Sequence, residues 1–151
     1  MIEIRVAIED DAEAACVILR RSIVELCIAD HLGDGETLRA WLENKTPENV
    51  LKWIRSDGQR FLVAEEDGKV LGVGAGSVGG EVTLNYVSPD ARNRGVSKAI
   101  LASLEVYFRD MGNKYSTLIS TRTAHQFYLA AGYQGSCDNE LTNDQSMEKT
   151  L

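Results

Sequence analysis

The chain predicts an α+β fold, with one mixed, mostly antiparallel sheet and helices on its faces. Three observations carry that expectation. Stretches that alternate apolar and polar residues are interleaved with stretches whose apolar residues recur every three to four positions. Three consecutive extended stretches are separated only by Asp67-Gly68 and Gly79-Gly80, which makes them antiparallel neighbours. The length of 151 residues, with 44% hydrophobic and 26% charged content, suits one domain (residues 1–151) around a sizeable core.

Taken in order, "IEIRVAI" alternates and reads as the first strand. "EDDAEAACVILRRSIVELCIAD" follows as an amphipathic helix, with Ala12, Cys16, Leu19 and Ile23 at helical spacing and acids in the first turn, where the dipole favours them. "HLGDGE" breaks it, and "TLRAWLENK" forms a short helix. In "TPENVLKWIRSDG", Thr46 is the N-cap, Pro47 the first helical residue and Gly58 the stop. "RFLVAEEDGKVLGVGAGSV" is a hairpin about Asp67-Gly68, and "EVTLNYVS" is a third strand stopped by Pro89. "GVSKAILASLEVYFRDMG" is a firm helix ended by Gly112. "YSTLIS" is a strand, "TAHQFYLAAG" a helix ended by Gly132, and "YQGSCDN" with "SMEKTL" a last pair of strands. No repeat or linker interrupts the chain.

The formal charge of −7 argues against nucleic acid or an anionic membrane as the main partner and suits an amine-bearing ligand. Acids stand at the N-terminus where a signal peptide would carry basic residues, and no apolar run reaches membrane-span length. Three cysteines without a C-x-x-C pair point to a reducing cytoplasm, with Cys16 and Cys27 as buried thiols. The two histidines stand far apart in sequence, and no metal is expected.

One stretch lacks something it needs. "NYVSPDARNRGVSKAILASLE" runs from strand to long helix with no Ser or Asp directly ahead of the helix. The first amides of a helix have no partner inside it and are ordinarily satisfied by such a cap. In Arg92-Asn93-Arg94-Gly95-Val96-Ser97, Gly95 permits a tight turn and close approach, and the two arginines add charge suited to phosphate. By spacing alone the segment is either a phosphate cradle or a solvated loop with two surface arginines. Neither a P-loop nor a dinucleotide fingerprint is present; "GVGAGSVG" follows a hairpin rather than opening a helix, so its glycines read as sites of a bulge or close approach.

The segment "VSPDARNRGVS", followed by a helix, a strand and "AHQFYLAAGY", resembles the GNAT acetyltransferase superfamily, as does the element order over residues 2 to 137. That resemblance implies a GNAT-like fold and acetyl-CoA as co-substrate. Its pyrophosphate would rest on Arg92, Asn93, Arg94, Gly95, Val96 and Ser97, the family's Q/R-x-x-G-x-G/A segment. Ser97 departs from the family's Gly or Ala but stays small, and Thr121 stands where many members carry an Asn touching the pantetheine arm. The resemblance further implies an N-acetyltransferase acting on a small-molecule or peptide amine by direct attack in a ternary complex. A catalytically silent acyl-CoA sensing module is the alternative. Family members are often dimers, and the sequence leaves a homodimer open.

Acyl transfer to an amine needs a deprotonated amine, a polarised thioester carbonyl and a proton for the departing thiolate. The resemblance assigns carbonyl polarisation to the backbone N–H of Tyr86 or Val87 and the acid to Tyr128, whose bland alternative is a core tyrosine. Glu81 is either the base or a solvated turn residue. Glu25 and His31, near the end of the first helix, fall where the family borders its acceptor pocket; His31 is a second candidate base or a helix-end residue.

Overall fold

The structure, a computed structural model, describes residues 1–135 and 146–151. Its sheet has six strands, β1 (Glu3–Val6), β2 (Gln59–Glu66), β3 (Lys69–Ser77), β4 (Glu81–Val87), β5 (Tyr115–Ile119) and β6 (Ser146–Thr150), arranged in chain order. All neighbours are antiparallel except β4 and β5, which run parallel. The helices are α1 (Ala12–Leu26), α2 (Ile28–His31), α3 (Gly35–Leu42), α4 (Pro47–Arg55), α5 (Val96–Asp110) and α6 (His125–Ala130). The expected α+β sheet with helices on its faces is what the chain forms. Among the described residues no helix is long and apolar enough to cross a membrane.

Two local details differ from the sequence reading. The long first helix is divided: a 3-10 turn at Glu9–Asp11, then α1, then α2 after Cys27, whose ψ of 33 takes it out of helical conformation. The Asp11 carboxylate, expected to support the helix dipole, instead accepts the Ile8 N–H at 2.8 Å and grips Arg5. The short third helix begins earlier than expected because Asp34 caps it, accepting from Thr37 N at 2.9 Å. At α4 the expected cap is in place, Thr46 Oγ1 accepting from Asn49 N. Of the last pair of strands, "SMEKTL" forms β6, and Gln134 bridges to Glu148; residues 136–139 of "YQGSCDN", Cys137 included, lie outside the described residues.

Each sheet face carries its own core. Leu19, Val50, Phe61, Val63 and Val73 pack under α1 and α4, while Ile100, Leu104, Phe108, Tyr128 and Tyr133 pack on the opposite face with α5 and α6. The glycines of β3 explain how closely α5 sits. A Cβ on Gly74 would collide with Ile100 and one on Gly76 with the Phe108 ring, so the bare backbone is what admits the helix.

Two irregularities in β4 position the site. Ala75 pairs with Leu84 but Gly76 pairs with Val82, so Thr83 is an extra residue and the strand bulges there. On its other side β4 meets β5 only at Glu81–Thr117 and Val82–Leu118, after which the two strands diverge. The edge of β4 from Thr83 to Val87 therefore faces an opening rather than a strand.

Candidate functional site

That opening is the mouth of a cavity of about 590 Å³, bounded by β4, the start of α5, the β5–α6 segment and the end of α1. At one end, Ser88 Oγ accepts from Asp90 N and starts a 3-10 turn at Pro89–Ala91; Asn93 and Gly95 then take positive φ of 63° and 78°. This brings the chain into α5 with no side-chain cap. The helix ladder begins with Ala99 N donating to Gly95 O, so the amides of Val96, Ser97 and Lys98 precede it. A Cβ on Gly95 would meet nothing within 4 Å, so the approach to these amides is open. Arg92 and Lys98 line the same end and add positive charge to the helix dipole.

Along the floor, strand alternation decides which β4 amides face the opening. Ser88 N donates to Leu71 O, and in an antiparallel ladder alternate residues face the partner. Leu84 and Tyr86 thus turn their N–H toward β3, while Asn85 and Val87 turn theirs into the opening. Of the two amides expected to polarise a carbonyl, only that of Val87 is presented to the cavity; Tyr86 lines it with its side chain.

The far wall comes from α6. Tyr128 is 6% exposed, packed edge-on against Tyr133 and Phe127 at centroid distances of 5.6 and 5.1 Å. Burial pushes its phenol up to about 12, and the side-chain amide of the neighbouring Asn85 works in the opposite direction. Thr121 Oγ1 accepts from Ala124 N at 3.1 Å, ahead of α6. Asp30 holds the segment from the other side, accepting from Arg122 N, Thr123 N and Thr123 Oγ1 at 2.6, 3.1 and 2.6 Å. Cys27 also lines the cavity; burial, then the Asp30 charge, pushes its thiol up to about 12, so it stays protonated.

Of the residues singled out from sequence, the fold gathers Tyr86, Val87, Arg92, Asn93, Gly95, Val96, Ser97, Thr121 and Tyr128 around this one cavity. Four others are not among its lining residues. Arg94 turns away, its guanidinium held by both Glu66 carboxylate oxygens at 2.8 Å. Glu81 sits where β4 and β5 are still paired, beside a separate cleft with Thr117 and Gln134. Six residues of extended chain, roughly 20 Å, separate it from Val87. Glu25 is exposed and paired with Arg21 at 2.9 Å. His31 is 4% exposed with both ring nitrogens engaged: Gly33 N donates to Nδ1 at 2.9 Å, leaving Nε2 to donate to Val24 O at 3.1 Å. It is a helix-end residue. Sequence reasoning missed Asn85, Lys98 and Phe127. Lys98 was findable as the third residue of a helix with a bare start, whereas Asn85 depends on the splay of the strands.

Residues 27–149 match the family model described as an acetyltransferase (GNAT) domain. The chain belongs to the GNAT acetyltransferase family. An acetyltransferase of Pectobacterium atrosepticum is 30% identical to it over 106 residues, covering 68% of this chain and 64% of that relative. The match thus spans less than two thirds of the relative's length. Among solved structures, the PaiA N-acetyltransferase of Thermoplasma acidophilum, in complex with coenzyme A, superposes with a TM-score of 0.84 at 22% identity, over 100% of this chain and 99% of that one. A GCN5-related N-acetyltransferase from Rhodopseudomonas palustris gives 0.85 at 23% identity, over 99% and 95% of the two chains. Both show that the fold of this GNAT domain is shared along its whole length.

Proposed function

We propose that the protein is an acetyl-CoA-dependent N-acetyltransferase that transfers the acetyl group to a small-molecule or peptide amine by direct attack. The observation that carries this reading is the cavity itself: the uncapped start of α5 opens into one end and the Tyr128 hydroxyl bounds the other, with an unpaired strand edge between them. The residues fit such a cofactor. Free amides, Arg92 and Lys98 suit a pyrophosphate, and the β4 edge suits a chain of amides.

When bound, acetyl-CoA supplies the activated acetyl group as a thioester. The Val87 amide, fixed in the strand, would donate to the thioester carbonyl oxygen without reorganising. Tyr128 holds a proton at its hydroxyl for the departing sulfur. Holding both reactants in one cavity removes much of the entropic barrier. The described lining residues include no carboxylate or imidazole. Tyr128 at the end of the cavity favours turnover over a silent sensor.

The test is calorimetric titration of the protein with coenzyme A, together with thiol release from acetyl-CoA over a panel of amines. Micromolar binding and amine-dependent release are expected. Absence of binding at millimolar coenzyme A overturns the reading.

A further inference from the structure

The segment that leads into α6 is held from across the cavity. After Ile119 the chain leaves the sheet, and residues 120–124 belong to no strand. The N-cap residue of α6, Ala124, offers no side-chain acceptor. The amides ahead of the helix are satisfied by two other side chains. Thr121 Oγ1 accepts from Ala124 N at 3.1 Å. The Asp30 carboxylate accepts the rest: Arg122 N on Oδ1, and both Thr123 N and Thr123 Oγ1 on Oδ2. Tyr128 N then donates to Ala124 O at 3.1 Å, so the backbone of Tyr128 stands one turn beyond the clasped residues.

The α1–α2 corner keeps that carboxylate in place. Cys27 leaves helical conformation and the chain turns into α2, where Asp30 N and His31 N both donate to Cys27 O, at 3.0 and 3.2 Å. The buried His31 ring, which does not line the cavity, ties the corner to Val24 O and Gly33 N. An acceptor fixed in this way suits short hydrogen bonds to an ionised oxygen, which are stronger than neutral ones. The clasp joins two walls of the same cavity: Leu26 and Cys27 line it on the α1 side, Thr123, Phe127 and Tyr128 on the α6 side.

We infer that Asp30 is a positioning residue for the transfer step: by clasping residues 122 and 123 it fixes the start of α6 and holds the Tyr128 hydroxyl where the reaction needs it. The inference rests on the proposed function above, in which Tyr128 holds the proton for the departing sulfur.

The experiment is a double-mutant cycle on the full chain. Thiol release from acetyl-CoA is followed with the primary amine that the panel finds fastest, and coenzyme A affinity is measured by calorimetry. Asp30→Ala is expected to lower kcat about 10- to 100-fold, because a small misplacement of a reacting group is costly, while coenzyme A affinity stays within about threefold. In the Tyr128→Phe background the same substitution is expected to change kcat by less than about twofold, since the group it positions is already gone. Asp30→Asn keeps one acceptor oxygen; it is expected to show a smaller loss with the same dependence on Tyr128, and serves if the alanine variant does not fold. Equal losses in the two backgrounds overturn the inference, because Asp30 would then act without Tyr128. A lower melting temperature with kcat unchanged overturns it as well, leaving Asp30 a brace of the fold alone. A wild-type chain that releases no thiol, or a Tyr128→Phe variant with full rate, instead removes the proposed function or its use of Tyr128, and the positioning role with it.

Discussion

At the α5 end of the cavity the groups on offer are mostly backbone amides, set by Gly95 and the turn before it. At the α6 end they are side chains, Tyr86, Phe127, Tyr128 and Cys27, delivered by separate elements and held in place by neighbours such as Asp30. A backbone cradle depends on local conformation and on little else. A side-chain wall depends on packing, because each ring is placed by what it touches. On the proposed function, the first end would meet the invariant part of the cofactor, and changes in side chains at the second would alter the chemistry without disturbing the first.

The comparison breaks most sharply at Tyr128. Replacing it by Phe removes one hydroxyl from the wall and leaves the cradle alone, so kcat is expected to fall about 100-fold or more. Coenzyme A affinity should hold within about twofold, as steady-state rates and calorimetry on the same preparation would reveal. The sign of its pH dependence follows from burial. With the phenol raised to about 12, Tyr128 stays protonated past the usual tyrosine value of about 10, so its loss as a donor belongs to the far alkaline limb of kcat. The folded state binds this proton more tightly than the unfolded chain does. Its contribution to stability is therefore intact below the unfolded value and fades as pH rises through the folded one. An alkaline limb that disappears in the Phe variant would tie the two together.

At the other end, Arg92→Ala combined with Lys98→Ala is expected to cost about 10- to 100-fold in coenzyme A affinity and to flatten its dependence on salt. With saturating cofactor, kcat should be nearly unchanged. A smaller effect is expected where the two ends meet the scaffold. Gly74→Ala forces a methyl group against Ile100 and should lower the unfolding free energy by about 1–3 kcal/mol, read from denaturant melts. Because α5 is the element pushed, cofactor binding should weaken while the far wall is spared. The smallest effect is reserved for Glu81→Gln. Its rate should stay within about twofold of wild type, as ordinary surface substitutions do, and a large drop would return the base to β4.

Much of this was legible from residue order. The hairpin at Asp67-Gly68, where both residues take positive φ, the Thr46 cap and the bare start of α5 are local events governed by the dihedral preferences of a few neighbouring residues. The cradle was therefore foreseeable from "RNRGVS", apart from Arg94, which pairs with a carboxylate 28 residues away. The acceptor side was harder to foresee. Glu25, His31 and Glu81 have suitable chemistry, yet exposure, backbone hydrogen bonds and the still-paired foot of β4 keep each out of the cavity.

Residue order alone thus specified most of the elements, where they turn and which helix start lacks a side-chain cap, since those depend on φ/ψ preferences and side-chain periodicity over a few positions. Folding in three dimensions chose the rest: the bulge at Thr83, the parting of β4 from β5 after Val82, and the choice of Asn85 and Val87 as the amides facing inward. Those follow from how a twisted sheet pairs and packs between two helical layers, where the orientation of one residue is set by partners far along the chain.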